Sequence, residues 1–472
     1  MHSTAISNDN VINAGFGAND NRREPDAGVQ PTEDAVAKVF ANSYRNQLRY
    51  CHTAGAWFEW TGSHWCKDET GIASHYARVM AREMSKTCTS AKVLASIRKR
   101  SFASGVENFA KNEPMLARSY RAWDIDPFLL GTPDGTVDLR TGKLHAADPA
   151  DCITKVTSIA PSDRADCPRW LAFLDQATGG DREMIRFLQQ WCGYSLTGDT
   201  REHALVFAYG PGGNGKSVFL NTVSHIMLDY ATTSSMDTFV ESRGDRHPTD
   251  LAMLRGARLV TASETEAGKN WAESRIKSLT GGDPITARFM RQNFFTFMPL
   301  FKLCIVGNHQ PRLQNVDDAA RRRFNIIPFI QKPEKPDRQL ESKLRDEASG
   351  ILRWMIDGCL DWQQNGLVRP TSIVEATEAY FAEQGVFGQW LRDMCRVDHG
   401  SRSLSEFQAD LFESWTKYAE AAGEKPGSRI ALGKALENRG FAKKSTKRGV
   451  MHFGVQLTKA ERENHHDSRG DE

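Results

Sequence analysis

The sequence predicts an α/β fold centred on a phosphate-binding turn between a buried strand and a helix. Three observations carry that expectation. An apolar run, Ala204 to Tyr209, enters the glycine-rich turn Gly210-Pro211-Gly212-Gly213-Asn214-Gly215-Lys216-Ser217, and Val218-Phe219-Leu220 then opens a helix. Further short apolar runs, Arg258 to Ala262, Phe301 to Val306 and Phe324 to Pro328, have polar ends, as buried parallel strands do. Helical stretches lie between them, so strands and helices alternate from about residue 201 to 329.

The turn satisfies the pattern Gly-x-x-x-x-Gly-Lys-Ser in the strand–turn–helix context that gives it meaning. Its glycines let successive backbone N–H groups converge on a phosphate where any Cβ would crowd the approach. Lys216 can reach the β and γ oxygens of a nucleotide, and Ser217 supplies a hydroxyl to Mg²⁺. The helix N-terminus adds the positive end of its dipole. Gly210, Pro211, Gly212, Gly213, Asn214, Gly215, Lys216 and Ser217 are therefore the expected nucleotide-binding residues.

Composition sets the frame. The chain has 472 residues, 40% apolar and 25% charged, which is ordinary for a globular protein of about three domains. No apolar run approaches the roughly eighteen residues that cross a bilayer, so no membrane partner is expected. Residues 1–32 are polar, lack the apolar stretch of a signal peptide, and are expected to be without fixed structure. Nine cysteines with no Cys-x-x-Cys pair point to free thiols in a reducing cytoplasm. The net charge of +2 demands no polyanionic partner, so basic clusters count only in context.

Along the chain, residues 33–198 read as a mixed α/β domain. Strand-like residues surround Trp57 and Trp60, a helical stretch runs from Ile72 to Ala110, and turn signals at Gly131 to Gly142 mark a small meander. Two amphipathic helices, at Trp170 to Leu174 and Met184 to Tyr194, lead into the P-loop strand. Residues 199–332 form the core. Pro333 and Pro336 open a helical linker over 333–370. Residues 371–458 carry helices at Val374 to Arg396, Ser405 to Ala422 and Arg429 to Arg439, then a basic hairpin from Phe441 to Leu457, the outline of a winged helix. Residues 459–472 are a polar tail.

Residues downstream of the turn narrow its use. No Asn-Lys-x-Asp guanine-reading motif is present, and Leu279-Thr280-Gly281-Gly282-Asp283 falls too late in the chain to be a transporter signature. The strand ending at Ala262 runs into Ser263-Glu264-Thr265-Glu266, where a carboxylate can serve Mg²⁺ and an attacking water. Glu264 is the expected base and metal ligand beside Ser217, with Glu266 as a second acid. The next strand ends in Gly307-Asn308, where an amide can orient water against the γ-phosphate. Arg321-Arg322-Arg323 stand just before Phe324-Asn325-Ile326-Ile327-Pro328-Phe329, and arginine's planar fork suits a finger reaching a neighbour's phosphate.

This compact set resembles the superfamily 3 helicases, in particular the primase–helicase proteins of phages, satellite phages and poxviruses. Ile276 to Arg288 is similar to their extra motif, and the likeness extends through Asp138-Leu139-Arg140-Thr141-Gly142 and Gln190-Trp191-Cys192-Gly193-Tyr194, covering roughly residues 120–330. The resemblance implies an AAA+-like core, a hexameric ring, ATP with Mg²⁺ and 3′-to-5′ translocation on single-stranded DNA during replication in a bacterial host. It also implies that Arg322 or Arg323 is the finger, a choice the triple arginine leaves open. The larger relatives' primase domain has no convincing counterpart here, and Asp124-Ile125-Asp126, directly before Pro127, reads as structural. Two other readings remain: an ATP-gated initiator that binds DNA without unwinding it, and a primase–helicase with cryptic primer synthesis.

Contacts with DNA are expected at two places. Ile285 to Phe297 looks like the family's channel hairpin, with Arg291 at a polar tip, Arg288 on one arm and Lys277 on the preceding helix. The C-terminal hairpin carries Lys443, Lys444, Lys447 and Arg448, suited to forked or origin duplex DNA or to a replication protein.

Overall fold

A computed structural model describes residues 31–241, 249–263, 270–291, 293–308, 311, 313 and 318–461. The expected disordered segment (1–32) and tail (459–472) therefore fall almost wholly outside the described residues. The chain divides into two compact units, one ending at Ile125 and the other beginning at Asp126.

The first unit opens with a helix, Glu33–Tyr44, whose N-terminus is capped by the Thr32 hydroxyl accepting from Ala35 N. Strands Leu48–Cys51, Ala56–Trp60 and Trp65–Lys67 form an antiparallel meander, and Ala117–Arg118 adds to the first of them in parallel. The helical stretch expected from Ile72 to Ala110 is three helices, Ile72–Thr87, Ala91–Ile97 and Arg100–Ala110. Phe40, Trp57, Ala73, Ala77, Phe102 and Val106 are buried together between helices and sheet.

The second unit is organised by a five-stranded, wholly parallel sheet. Its order is Phe324–Pro328, Leu205–Tyr209, Lys302–Gly307, Leu259–Ser263, Ala231–Thr233. These are the arginine, P-loop, sensor, carboxylate and edge strands below. Four of the five are buried along nearly their whole length, which explains why they read as continuous apolar runs. This is the α/β, AAA+-like core expected from the sequence.

The sequence groups residues 33–198 together; the division into compact units falls at 125. The meander of Leu129–Thr132, Gly135–Asp138 and Lys143–His145 belongs with the sheet. Arg258 joins them, donating to Leu196 O at 2.6 Å and Leu129 O at 2.7 Å. Lys302, wholly buried beside it, donates to the carbonyls of Thr197, Asp199 and Leu300. Both cations meet the C-terminal end of helix Arg182–Leu196, where the helix dipole favours positive charge. Burial first, and Arg258 second, pull the Lys302 ammonium well below its ordinary pKa.

Residues 333–370 are likewise more than a linker. Helix Ala348–Asn365 buries Ile351, Met355 and Cys359 in the core and packs along Arg182–Leu196. Glycines permit that approach. A Cβ on Gly358 would stand 2.1 Å from Gln189 O, and one on Gly193 would stand 2.1 Å from Cys359 N. Gly358→Ala is therefore expected to force the helices apart and cost about 1–3 kcal/mol; a thermal transition identical to that of the unmodified protein would contradict it.

The C-terminal module starts later than expected. Helix Thr371–Gln384 ends before Gly385 and packs on the arginine strand, with Ile326 N donating to Thr377 Oγ1 at 3.1 Å. Val386–Met394, Gln408–Ala421 and Arg429–Asn438 then enclose Trp390, Leu411, Trp415 and Leu436. Strands Lys443–Thr446 and Gly449–Phe453 form the basic hairpin, paired with Ser405–Phe407. The outline is winged-helix-like, with a short strand, Cys395–Val397, where the sequence suggested helix.

Candidate nucleotide site and its surroundings

The turn leaves the C-terminal end of the P-loop strand, the edge at which open α/β sheets bind ligands. Gly210, Gly213 and Gly215 have φ values of 151°, 80° and 90°, a region that side-chain-bearing residues rarely adopt. A Cβ on Gly210 would overlap Phe329 O, and one on Gly215 would press on the Phe173 ring at 2.7 Å. By contrast, nothing lies within 4 Å of a Cβ position on Gly212 or Gly213. The outer face of the turn is thus open and its inner face tightly seated, as a backbone anion cradle requires.

Lys216 begins the following helix, Lys216–Met227, and is buried. Its Nζ donates to Gly210 O at 2.6 Å and to Asn214 Oδ1 at 2.9 Å, while Asn214 Nδ2 donates to Phe329 O. Asn214 therefore tethers both the lysine and the turn to the end of the arginine strand. Burial lowers the Lys216 pKa. Ser217 is exposed toward a cavity of about 730 Å³ that also touches Lys216, Asn308, Arg169, Gln176 and Lys343. The residues fit a nucleotide: a backbone nest, a buried cation, a free hydroxyl and a pocket of ligand size.

Asn308 follows the sensor strand, which lies between the P-loop and carboxylate strands. That order brings an amide to the cavity's mouth. Glu264 and Glu266 lie outside the described residues; in sequence Glu264 follows directly on Ser263, the last residue of the carboxylate strand, and Glu266 comes two residues later.

The arginines stand at the other edge. Helix Asp318–Arg323 ends where the arginine strand begins, and Phe324 is in register with Leu205 at the start of the P-loop strand. The cradle begins beyond Tyr209, five strand residues or roughly 16 Å away. Arg322 and Arg323 thus stand at the opposite end of the sheet from the turn. The two differ in burial: Arg322 is exposed and donates to Asp318 O at 3.3 Å, whereas Arg323 is half-buried and donates to Ala319 O at 2.8 Å. Arg321 pairs with Glu378 at 2.8 Å and lies over the Phe381 ring.

The hairpin is present, with arms Ile285–Ala287 and Phe295–Phe297 rooted in the core by Ile285, Ala287 and Phe297. It enters the sensor strand from the same sheet edge as the arginines. Arg291 sits near the tip at a φ of 61° and is exposed; Arg288 is exposed on one arm with its guanidinium 4.8 Å over the Phe294 ring. Lys277 is half-buried on helix Glu273–Gly281. In the C-terminal hairpin Lys443, Lys444, Lys447 and Arg448 are all exposed, and Lys443 pairs with Glu437 at 2.6 Å.

Sequence reasoning missed the cavity's other wall. Arg169 and Gln176 come from helix Pro168–Thr178, and Lys343 from helix Leu340–Arg345. No motif marks them, because only folding brings these distant segments to the P-loop. Asp126 is occupied structurally. Burial raises its pKa, but the Arg140 guanidinium at 2.7 Å and the Phe128 N–H bring it below the usual carboxylate range.

A glycine cradle on a parallel sheet, an amide on the adjacent strand and arginines at the far edge define a P-loop protein of the AAA+-like class. Residues 37–179 match the family model described as D5 N terminal like, and 208–323 match a family of unknown function. A protein of Acanthamoeba polyphaga mimivirus named "Putative helicase" is 22% identical over 443 residues, covering 83% of this chain and 46% of that protein. A second so named, from Frog virus 3 (isolate Goorha), is 26% identical over 259 residues, covering 50% of this chain and 26% of that one. The apo C-terminal region of NrS-1 aligns at 11% identity and a TM-score of 0.45, over 91% of this chain and 100% of that one. Over residues 37–179 the chain is thus similar to the D5 N-terminal-like family, and over most of its length to viral proteins named putative helicases. It spans less than half the length of the curated viral relatives it matches. Among the described residues no helix is long and apolar enough to cross a membrane.

Proposed function

We propose that this chain is the ATP-driven motor of a DNA helicase from a phage, prophage or other mobile element. It works as a hexameric ring moving 3′-to-5′ on single-stranded DNA during replication initiation. The observation that carries this reading is the separation of cradle and arginines to opposite edges of one sheet, so that each nucleotide site needs a second copy to complete it.

The turn from Gly210 to Ser217 binds the phosphates through backbone N–H groups, and Lys216 neutralises the β and γ oxygens. Ser217 and Glu264 would hold Mg²⁺, which would supply further neutralisation of phosphate charge. Glu264, with Glu266 beside it in sequence, draws the proton from the attacking water, and Asn308 orients that water. Arg322, the exposed member of the pair, reaches the neighbouring subunit's nucleotide. Arg291 and Arg288 on the hairpin grip the strand's phosphates, with Lys277 behind them, while the C-terminal hairpin's Lys443, Lys444, Lys447 and Arg448 engage duplex at the fork.

The test is ATP turnover with and without single-stranded DNA, alongside displacement of a strand from a 3′-tailed fork. Arg291→Ala is expected to leave DNA-free turnover nearly intact while lowering DNA stimulation and unwinding together. Its loss removes one phosphate contact per subunit, so the defect should be largest at low salt and narrow as salt is added. Stimulation and unwinding equal to the unmodified protein at two salt concentrations would place the DNA grip elsewhere. Turnover without any strand displacement would instead favour the ATP-gated initiator, for which the basic winged-helix-like module is the supporting feature.

A further inference from the structure

A concentration of unpaired positive charge among the described residues lies away from the nucleotide site and both hairpins, on the helices of the first unit. Between Arg78 and Arg100 the first unit carries seven cations, Arg78, Arg82, Lys86, Lys92, Arg98, Lys99 and Arg100, and one carboxylate, Glu83. That carboxylate is already paired with Lys86 at 2.7 Å. The other six are exposed, and none makes an ion pair among the described residues. A whole-chain net charge of +2 conceals this patch, because acidic residues elsewhere balance it.

Local structure arranges the charges. In helix Ile72–Thr87 the stripe Ala73, Ala77, Ala81 is buried, and Arg78, Arg82 and Lys86 follow at intervals of four on the face turned away from it. Arg98, Lys99 and Arg100 occupy the junction between helices Ala91–Ile97 and Arg100–Ala110. Ile97 and Phe102 are buried on either side, so the junction's backbone is anchored while its three side chains project outward. Three adjacent like charges without counterions repel one another, and an external polyanion relieves that repulsion.

We propose that this basic face of the first unit is a nucleic-acid binding site that grips single-stranded backbone phosphate independently of nucleotide. Single strand is the form expected where a motor is working, and phosphate contacts of this kind carry no sequence preference. The choice of single strand rests on the motor reading, but the test does not. That test is DNA binding without nucleotide, whereas the motor reading stands or falls on turnover.

The experiment uses the full chain and a fluorescent oligothymidine, with binding followed by anisotropy over a range of salt. The triple variant Arg98→Gln, Lys99→Gln, Arg100→Gln is expected to bind more weakly at low salt. The slope of log affinity against log salt should fall by about two, or about 0.7 per lost phosphate contact. DNA-free ATP turnover should not change. The pair Arg98→Lys, Arg100→Lys keeps the charge and should keep the slope. If the triple variant loses its thermal transition, the single Arg98→Gln, with a slope lower by about 0.7, decides instead. An unchanged slope overturns the proposal. Displacement of the oligonucleotide by polyglutamate of equal charge, as effective as by unlabelled DNA, also overturns it and assigns the face to an acidic protein.

Discussion

Lys216→Ala is expected to yield a folded protein that turns over ATP at least roughly 10²–10³-fold more slowly, the cost of deleting one preorganised donor to a developing phosphate charge. Unwinding should disappear with it. The lysine's partners within the chain are Gly210 O, Pro211 O and Asn214 Oδ1, all in the turn itself, so its removal loosens the cradle and leaves the sheet untouched. Asn214 Nδ2 still reaches Phe329 O and holds the turn to the arginine strand. The measurements are steady-state phosphate release and thermal unfolding. Turnover at the unmodified rate, with the fold intact, would remove the nucleotide assignment and with it the motor.

Arg322→Ala should do comparable damage by another route. ATP binding is expected to persist, since the residue stands at the sheet edge away from its own cradle, while turnover falls by about 10³–10⁵. Mixing this variant with Lys216→Ala provides the sharper measurement. Some interfaces of a mixed assembly join an intact cradle to an intact arginine, so part of the turnover should return. Arg323→Ala is expected to show a different signature. Its side chain is half-buried where that of Arg322 is exposed, so a lower unfolding temperature should accompany any loss of activity. No recovery in confirmed mixed assemblies, or an Arg322→Ala variant at full speed, would refute the proposed division of labour.

What could be read from the sequence was what is local. The P-loop, the strands on either side of it and the polar residues at their ends are set by spacing and composition within about ten residues. The arginine strand was legible for the same reason. The unit boundary was not, because Arg258 and Lys302 tie the meander to the sheet through carbonyls of Leu129, Leu196 and Thr197 far away in sequence. Nor could residues 333–370 be recognised as core. Helix Ala348–Asn365 looks like any amphipathic helix until Gly193 and Gly358 let two backbones meet. Arg322 and Arg323 are adjacent and chemically identical, and only tertiary burial separates them. The cavity wall from Arg169, Gln176 and Lys343 left no sequence trace, since a wall needs shape where a cradle needs particular residues.

The P-loop strand is hydrogen-bonded on both flanks over five consecutive positions, Leu205 to Tyr209, to the sensor strand and to the arginine strand. Such a ladder can tilt or rotate as a slab, but it cannot lengthen. A displacement of the cradle would be passed along this ladder toward the opposite ends of the strands, where helix Asp318–Arg323 and the hairpin join the sheet. In the proposed ring the sheet is a stiff lever with the fuel at one end and the load at the other. Each stroke would reach the DNA strand and the next subunit's nucleotide together, so coordination around the ring would follow from the stiffness of one hydrogen-bonded plate.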